Sequence, residues 1–231
     1  MPFLDLPDRL AAVRETIERA RERGGRGGGI EPAVTIVAVT KTYGPDAPAA
    51  AYAAGLRDVG ENRVQEGVAK MAQVKVPLRW HLIGHLQRNK VKQVDDFHLV
   101  HSMDSARLAD ALAAHGVARG RPVEALMQIN VSGEGTKGGY EPSDVAREAE
   151  RLRALPGLVV RGVMTMAPFD ADATTLRRVF GGARRCGEQL RAAGHPASEL
   201  SMGMSGDYEI AVEEGATLVR LGTILFGARA A

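Results

Sequence analysis

Apolar positions along this chain recur with two alternating periods. Short apolar, often β-branched runs bounded by turn formers predict buried strands. They fall at about residues 33–40, 57–60, 79–84, 97–102, 122–131, 157–165, 198–202 and 217–221. Stretches with helical spacing separate them, near 46–54, 62–74, 87–93, 104–116, 142–154, 172–193 and 206–214. A leading amphipathic helix, about Leu6 to Glu22, precedes the first strand and ends at Gly24-Gly25-Arg26-Gly27-Gly28-Gly29. That glycine run reads as a flexible connector. A phosphate cradle follows a strand and opens a helix, and this run does the reverse.

Alternating βα units predict a parallel sheet with short connections. Eight of them in this length match a (β/α)8 TIM barrel; an open, doubly wound sheet is the alternative, because alternation alone does not show closure. No composition break divides the chain, so residues 1–231 read as a single α/β domain, with 1–29 as leading helix and linker. The leading helix is expected to take the place of an eighth outer helix, since the chain stops at Ala231 just past the eighth strand.

Composition narrows the function. Lys+Arg 30 against Asp+Glu 28 leaves +2, with basic residues scattered, so charge gives no support to nucleic-acid binding. Aromatic residues at 4% are too few for base-stacking platforms. The single cysteine, Cys186, lies in a helical pattern and reads as a packed thiol in a reducing compartment. The charged N-terminal helix is no signal peptide, and no window approaches the length of a membrane span. A cytoplasmic location is expected.

In a barrel, ligand-binding groups collect at the C-terminal ends of the strands. The first strand ends at Lys41, after Val34-Thr35-Ile36-Val37-Ala38-Val39-Thr40. Desolvation there favours the neutral amine, the form that attacks an aldehyde to make a Schiff base. Taken alone, the same residue reads as a strand-end lysine snorkelling into solvent; the other strand ends reverse that weighting. They carry Glu61-Asn62-Arg63, His81 to His85, His101-Ser102, Asn130 to Gly133 and Met164-Thr165-Met166. The last two carry Ser201 to Asp207 and Arg220-Leu221-Gly222-Thr223.

Barrels often hold a phosphate in the loops after strands seven and eight. Ser205 sits where it can cap the helix beginning near Gly206, Gly203 and Gly222 would let backbone amides approach an anion, and Thr223 and Ser201 can donate hydroxyls. Read singly, Ser205 is an N-cap and the glycines serve turns. Arg220, in an otherwise apolar strand, is costly to bury without a partner. Facing a pyridine nitrogen, its permanent charge would keep that nitrogen unprotonated. The alternative is an outward arginine paired with Glu213 or Glu214. His81 and His85, four apart on a strand without an HExxH glutamate, argue against a metal and read as packing or rim groups. Glu61, Asn62 and Asn130 read as loop-structuring groups or ligand contacts.

At these residues the chain resembles the pyridoxal 5′-phosphate (PLP) homeostasis proteins, PLP-binding barrels of the alanine racemase N-terminal type. The matching segments are Val37-Ala38-Val39-Thr40-Lys41, Gly60 to Glu66, Trp80 to Lys90, His101-Ser102 and Asn130 to Glu134. Gly162 to Met166, Leu200 to Asp207 and Val219 to Thr223 complete them, in order along nearly the whole chain. The resemblance implies an alanine-racemase-like barrel of PLP fold type III. Lys41 would form the Schiff base, and Ser205, Gly222 and Thr223 would hold the phosphate. Arg220 would face the pyridine nitrogen, with Asn62 and Met164 near the ring. Lys137, in the loop Gly135 to Tyr140, is a candidate second amine or an ordinary solvated lysine.

A PLP racemase needs acid/base groups on both faces of the substrate carbon. In alanine racemases a tyrosine from a second domain serves one face, and this chain ends where that domain would begin; none of Tyr43, Tyr52, Tyr140 and Tyr208 lies in such a domain. The expectation is a non-catalytic monomer that binds PLP and serves vitamin B6 homeostasis, with PLP-accepting apo-enzymes as partners. The alternatives are a PLP-dependent racemase or decarboxylase, and a cofactor-free Schiff-base aldolase.

Overall fold

The computed structural model describes residues 3–25, 33–133 and 138–227. Arg26 to Gly29 of the glycine run and Gly135 to Lys137 of the later loop, Lys137 included, lie outside the described residues. The strands are β1 (Thr35–Val39), β2 (Asp58–Glu61), β3 (Arg79–Leu82), β4 (Leu99–Met103), β5 (Val123–Gln128), β6 (Leu158–Met164), β7 (Glu199–Ser201) and β8 (Leu218–Leu221). Each pairs in parallel with its neighbour in sequence, and β1 also pairs with β8 through Ile36 and Val219 and through Val37 and Arg220. The barrel is closed. That closure removes the open-sheet alternative.

Around it lie α1 (Leu6–Arg23), α2 (Asp46–Ala53), α3 (Val64–Gln73), α4 (Ala106–Ala118), α5 (Val145–Arg153), α6 (Ala173–Ala192), α7 (Tyr208–Glu213) and α8 (Thr223–Phe226). Segment 87–93, expected to be an α-helical turn, is a 3₁₀ helix, Arg88–Gln93. The four-residue α8 escapes pattern reading because it is shorter than two helical turns.

α1 buries Leu6, Leu10, Val13, Ile17 and Ala20, the helical spacing that makes one apolar stripe. The stripe lies against α7 and α8, so α1 covers the barrel wall where an eighth outer helix was expected. Each fully buried leucine or isoleucine in it contributes about 1.5–3 kcal/mol.

The main core lies between sheet and helices. Ile36, Ala38, Val59, Trp80, Val100, Val160 and Val219 join it from the strands. A small second cluster, Leu99, Leu126 and Met164, stands apart. Barrel interiors are usually filled by branched aliphatic side chains. Here Asp58, His81, His101, Ser201 and Arg220, all from strands and all buried, are linked to one another by hydrogen bonds. No described helix is long and apolar enough to cross a membrane.

Candidate functional site

Lys41 lies two residues past the end of β1, half-buried, at the C-terminal end of the barrel. The turn that carries it is held from below. Thr40 Oγ1 donates to Glu61 Oε1 at 2.5 Å, and the Thr42 amide, at φ 67°, donates to Glu66 Oε1 at 2.7 Å. Lys70 Nζ donates at 2.8 Å to each of the Thr40 carbonyl, Glu61 Oε1 and Glu66 Oε1. Burial pushes the Glu61 carboxyl up, against the hydrogen bonds from Lys70 and Thr40. Burial acts the same way on Glu66, but there the bonds from Lys70 and Thr42 win and hold it down. Sequence reasoning missed Lys70. The signal was present: α3 buries Val64, Gly67 and Lys70 on one face, so a lysine stands among core positions.

Arg220 lies inside the barrel, not paired outward with Glu213 or Glu214. Glu213 instead binds Arg23 and Arg177, and Glu214 binds Arg177. Arg220 Nη1 donates to Ser201 Oγ at 2.5 Å and Nη2 to the Thr165 carbonyl at 2.9 Å. Its two hydrogen-bond partners are therefore a hydroxyl and a carbonyl. Burial pulls its pKa down to about 10, opposed by the charge of Asp207. Register pairs Arg220 with Val37 on β1, four residues before Lys41, so the lysine stands above the arginine on adjoining strands.

The loops after β7 and β8 meet. Ser205 does not cap α7, whose N-cap is Asp207; it accepts from the Ile224 amide of α8 at 3.4 Å. Asp207 instead accepts from the Met204 amide at 2.5 Å. Gly222 is the N-cap of α8 and Thr223, exposed, is its first residue. Gly203 has φ +93°, and a Cβ on it would lie 2.6 Å from Ala211 Cβ. The packing of α7 thus requires a glycine at this position. Ser201 also differs from expectation. It is fully buried, with its hydroxyl engaged by Arg220 and by His101 Nδ1 at 2.9 Å, so it is no rim donor.

Met164 is buried with Leu99 and Leu126, beside Met166. Asn62 is half-buried, and a Cβ on Gly84 would lie 2.3 Å from its carbonyl oxygen, so the loops after β2 and β3 touch. Asn130 Oδ1 accepts from Ser132 Oγ at 3.2 Å, a bond within its own loop. His85 is a rim residue paired with Asp104 at 2.9 Å, whereas His81 is inside the barrel. Cys186 is a buried thiol pushed up to about 11 by burial.

The family described as alanine racemase, N-terminal domain, matches residues 9–230. The pyridoxal phosphate homeostasis protein of Aquifex aeolicus is 40% identical over 225 residues, 96% of this chain and 97% of its own length. That of Pseudomonas aeruginosa is 40% identical over 227 residues, 97% of this chain and 96% of its own. PipY of Synechococcus elongatus, solved with PLP bound, is 36% identical with a TM-score of 0.82, covering 96% of this chain and all of that one. Alanine racemase of Clostridium difficile shares the fold at 15% identity and a TM-score of 0.73, over 58% of that longer chain. By full-length similarity and by fold, the chain belongs to the pyridoxal phosphate homeostasis protein family.

Proposed function

We propose that the barrel binds PLP reversibly through a Schiff base on Lys41, without turning over a substrate, and keeps the cofactor available to apo-enzymes that need it. The observation that carries the reading is Arg220: a buried guanidinium held on a hydroxyl and a carbonyl, below Lys41, with N–H groups left to meet a ligand acceptor. A pyridine nitrogen is such an acceptor. The donor set fits the rest of the group as well. Lys41 would take the aldehyde, and Ser205, Gly222 and Thr223 would take the phosphate where the last two loops meet. Asn62 and Met164 would border the ring. PLP, when bound, supplies an aldehyde and an electron-withdrawing ring.

Two features support a carrier over an enzyme. A ring nitrogen facing Arg220 would stay unprotonated and would be a weak electron sink. Three of the four tyrosines are also hydrogen-bonded or held protonated by burial. Tyr43 donates to the Gly227 carbonyl at 3.2 Å, and burial raises the hydroxyls of Tyr140 and Tyr208. As a single PLP-binding barrel the protein would act as a cytoplasmic monomer, in keeping with its one buried, unpaired thiol.

The test is the visible spectrum of the wild type and Lys41→Ala with PLP, followed by borohydride reduction and mass mapping. A band trapped on Lys41 and lost in the variant supports the reading. No band means that Lys41 is structural or serves a cofactor-free aldolase. Amino-acid turnover lost with Lys41→Ala would convert the carrier into an enzyme.

A further inference from the structure

Five side chains cross the barrel interior in a hydrogen-bonded file. Arg220 Nη1 meets Ser201 Oγ at 2.5 Å, Ser201 Oγ meets His101 Nδ1 at 2.9 Å, and His101 Nε2 meets His81 Nδ1 at 2.8 Å. His81 Nε2 then meets Asp58 Oδ1 at 2.9 Å. Asp58 is gripped by Arg79 through Nε and Nη2 at 2.7 and 2.6 Å. Ser201 closes β7, His101 and His81 are the third residues of β4 and β3, and Asp58 and Arg79 open β2 and β3. The file therefore runs from the ligand end of the barrel to its opposite mouth, where the Arg79 side chain is 54% exposed.

The two ends give a direction that satisfies every link when each imidazole carries one proton. A guanidinium only donates, and an ionised carboxylate only accepts. Ser201 Oγ accepts from Arg220, so its own proton goes to His101 Nδ1. His101 then carries its proton on Nε2 and gives it to His81 Nδ1. His81 carries its proton on Nε2 and gives it to Asp58. Each link then has one donor and one acceptor. A second proton on His101 would aim Nδ1–H at Ser201 Oγ and leave the serine proton without its acceptor in the file. Burial of His101 inside the file disfavours its charged form and holds it well below its usual range. His98 packs edge-on against His81, Glu124 acts on His98, and Asp207 acts on Arg220.

A buried polar chain of this length is costly unless every member is satisfied, and aliphatic residues would fill the space more simply. We infer that His101 and His81 are positioning residues: through Ser201 they hold the Arg220 guanidinium as a donor turned toward the pyridine nitrogen of the cofactor. The inference rests on the PLP reading above. It is distinct from packing, because its effect is on the ring nitrogen and not on whether the barrel folds.

The experiment is the ¹⁵N resonance of the ring nitrogen of labelled PLP in the borohydride-free complex, with PLP dissociation followed in parallel. Wild type is compared with Ser201→Ala, His101→Leu and, as a packing control, Leu112→Ala in α4. The resonance is expected to move in the first two and stay at the wild-type position in the control. Dissociation is expected to quicken about tenfold in the first two, the scale of one hydrogen bond to a charged group. If His101→Leu fails to fold, Ser201→Ala decides alone. PLP-loaded variants with an unmoved resonance overturn the inference and leave the cofactor reading intact. A wild type that gives no bound-PLP signal overturns both.

Discussion

Lys70 Nζ donates to the backbone carbonyl of Thr40 at 2.8 Å, so α3 grips the peptide unit that carries Lys41. The same amine neutralises Glu61, whose side chain is wholly buried. One residue thus holds the turn that carries Lys41 and compensates the carboxylate beneath it.

Lys70→Met should cost about 3–5 kcal/mol, because it leaves the Glu61 charge buried without its partner. Adding Glu61→Gln should recover much of that loss. Urea unfolding of the two variants checks both statements. A loss below about 1 kcal/mol in Lys70→Met would mean that Glu61 is already protonated and the clamp is weak.

Ser205→Ala should weaken PLP binding about tenfold, the loss of one charge-assisted hydrogen bond. Pyridoxal, which lacks the phosphate, should bind the variant and the wild type alike. Titration with both ligands separates a phosphate contact from a general loosening of the loop. Equal weakening for both would falsify the phosphate role.

Acid should destabilise the barrel in two steps. Burial pushes the Asp58 carboxyl up, but the bonds from His81 and Arg79 outweigh it and hold the group at about 2, below its usual 3.8. A depressed carboxylate gives stability that is complete above the unfolded value and lost as pH falls from there through the folded one. The Asp58 contribution, about 2 kcal/mol, should therefore disappear between about pH 4 and 2. His101 is also depressed, so the unfolded chain takes up its proton first as pH falls below about 6.5, and stability declines from there. Urea midpoints against pH should show both slopes, with the lower one reduced in Asp58→Asn.

Gly203→Ala should be strongly destabilising, by about 2 kcal/mol or more, since it combines a positive φ with a clash against α7. Gly222→Ala should be mild for folding, because its Cβ would stand 3.4 Å from Val39 Cβ, an ordinary contact. Thermal midpoints of the pair check the contrast.

Much of the architecture was legible in the amino-acid order. Runs such as Thr35 to Val39 are β-branched and apolar because a parallel strand is covered on both faces, and that signal gave all the strands to within a few residues. The placing of Lys41 and Arg220 at the first and eighth strands followed from counting βα units, while their adjacency came with closure of the barrel. The filling of the barrel was not legible. Asp58, His81 and His101 sit in different strands and become a set only when closure brings β2, β3 and β4 side by side. Lys70 was hidden for a related reason, since its partners come from β1 and β2 while it rides on a helix. Ser201 was misread because strand position alone does not separate a rim hydroxyl from one turned inward.

The pairing of β1 with β8 carries a consequence for biosynthesis. The lysine strand leaves the ribosome first and the arginine strand last, and each is the other's neighbour. A nascent chain released before Leu218 to Leu221 has no floor beneath Lys41, however complete its first seven strands. Cofactor capture is therefore expected only once β8 has joined β1. A truncation before Leu218 should keep the first seven strands in sequence and abolish PLP binding.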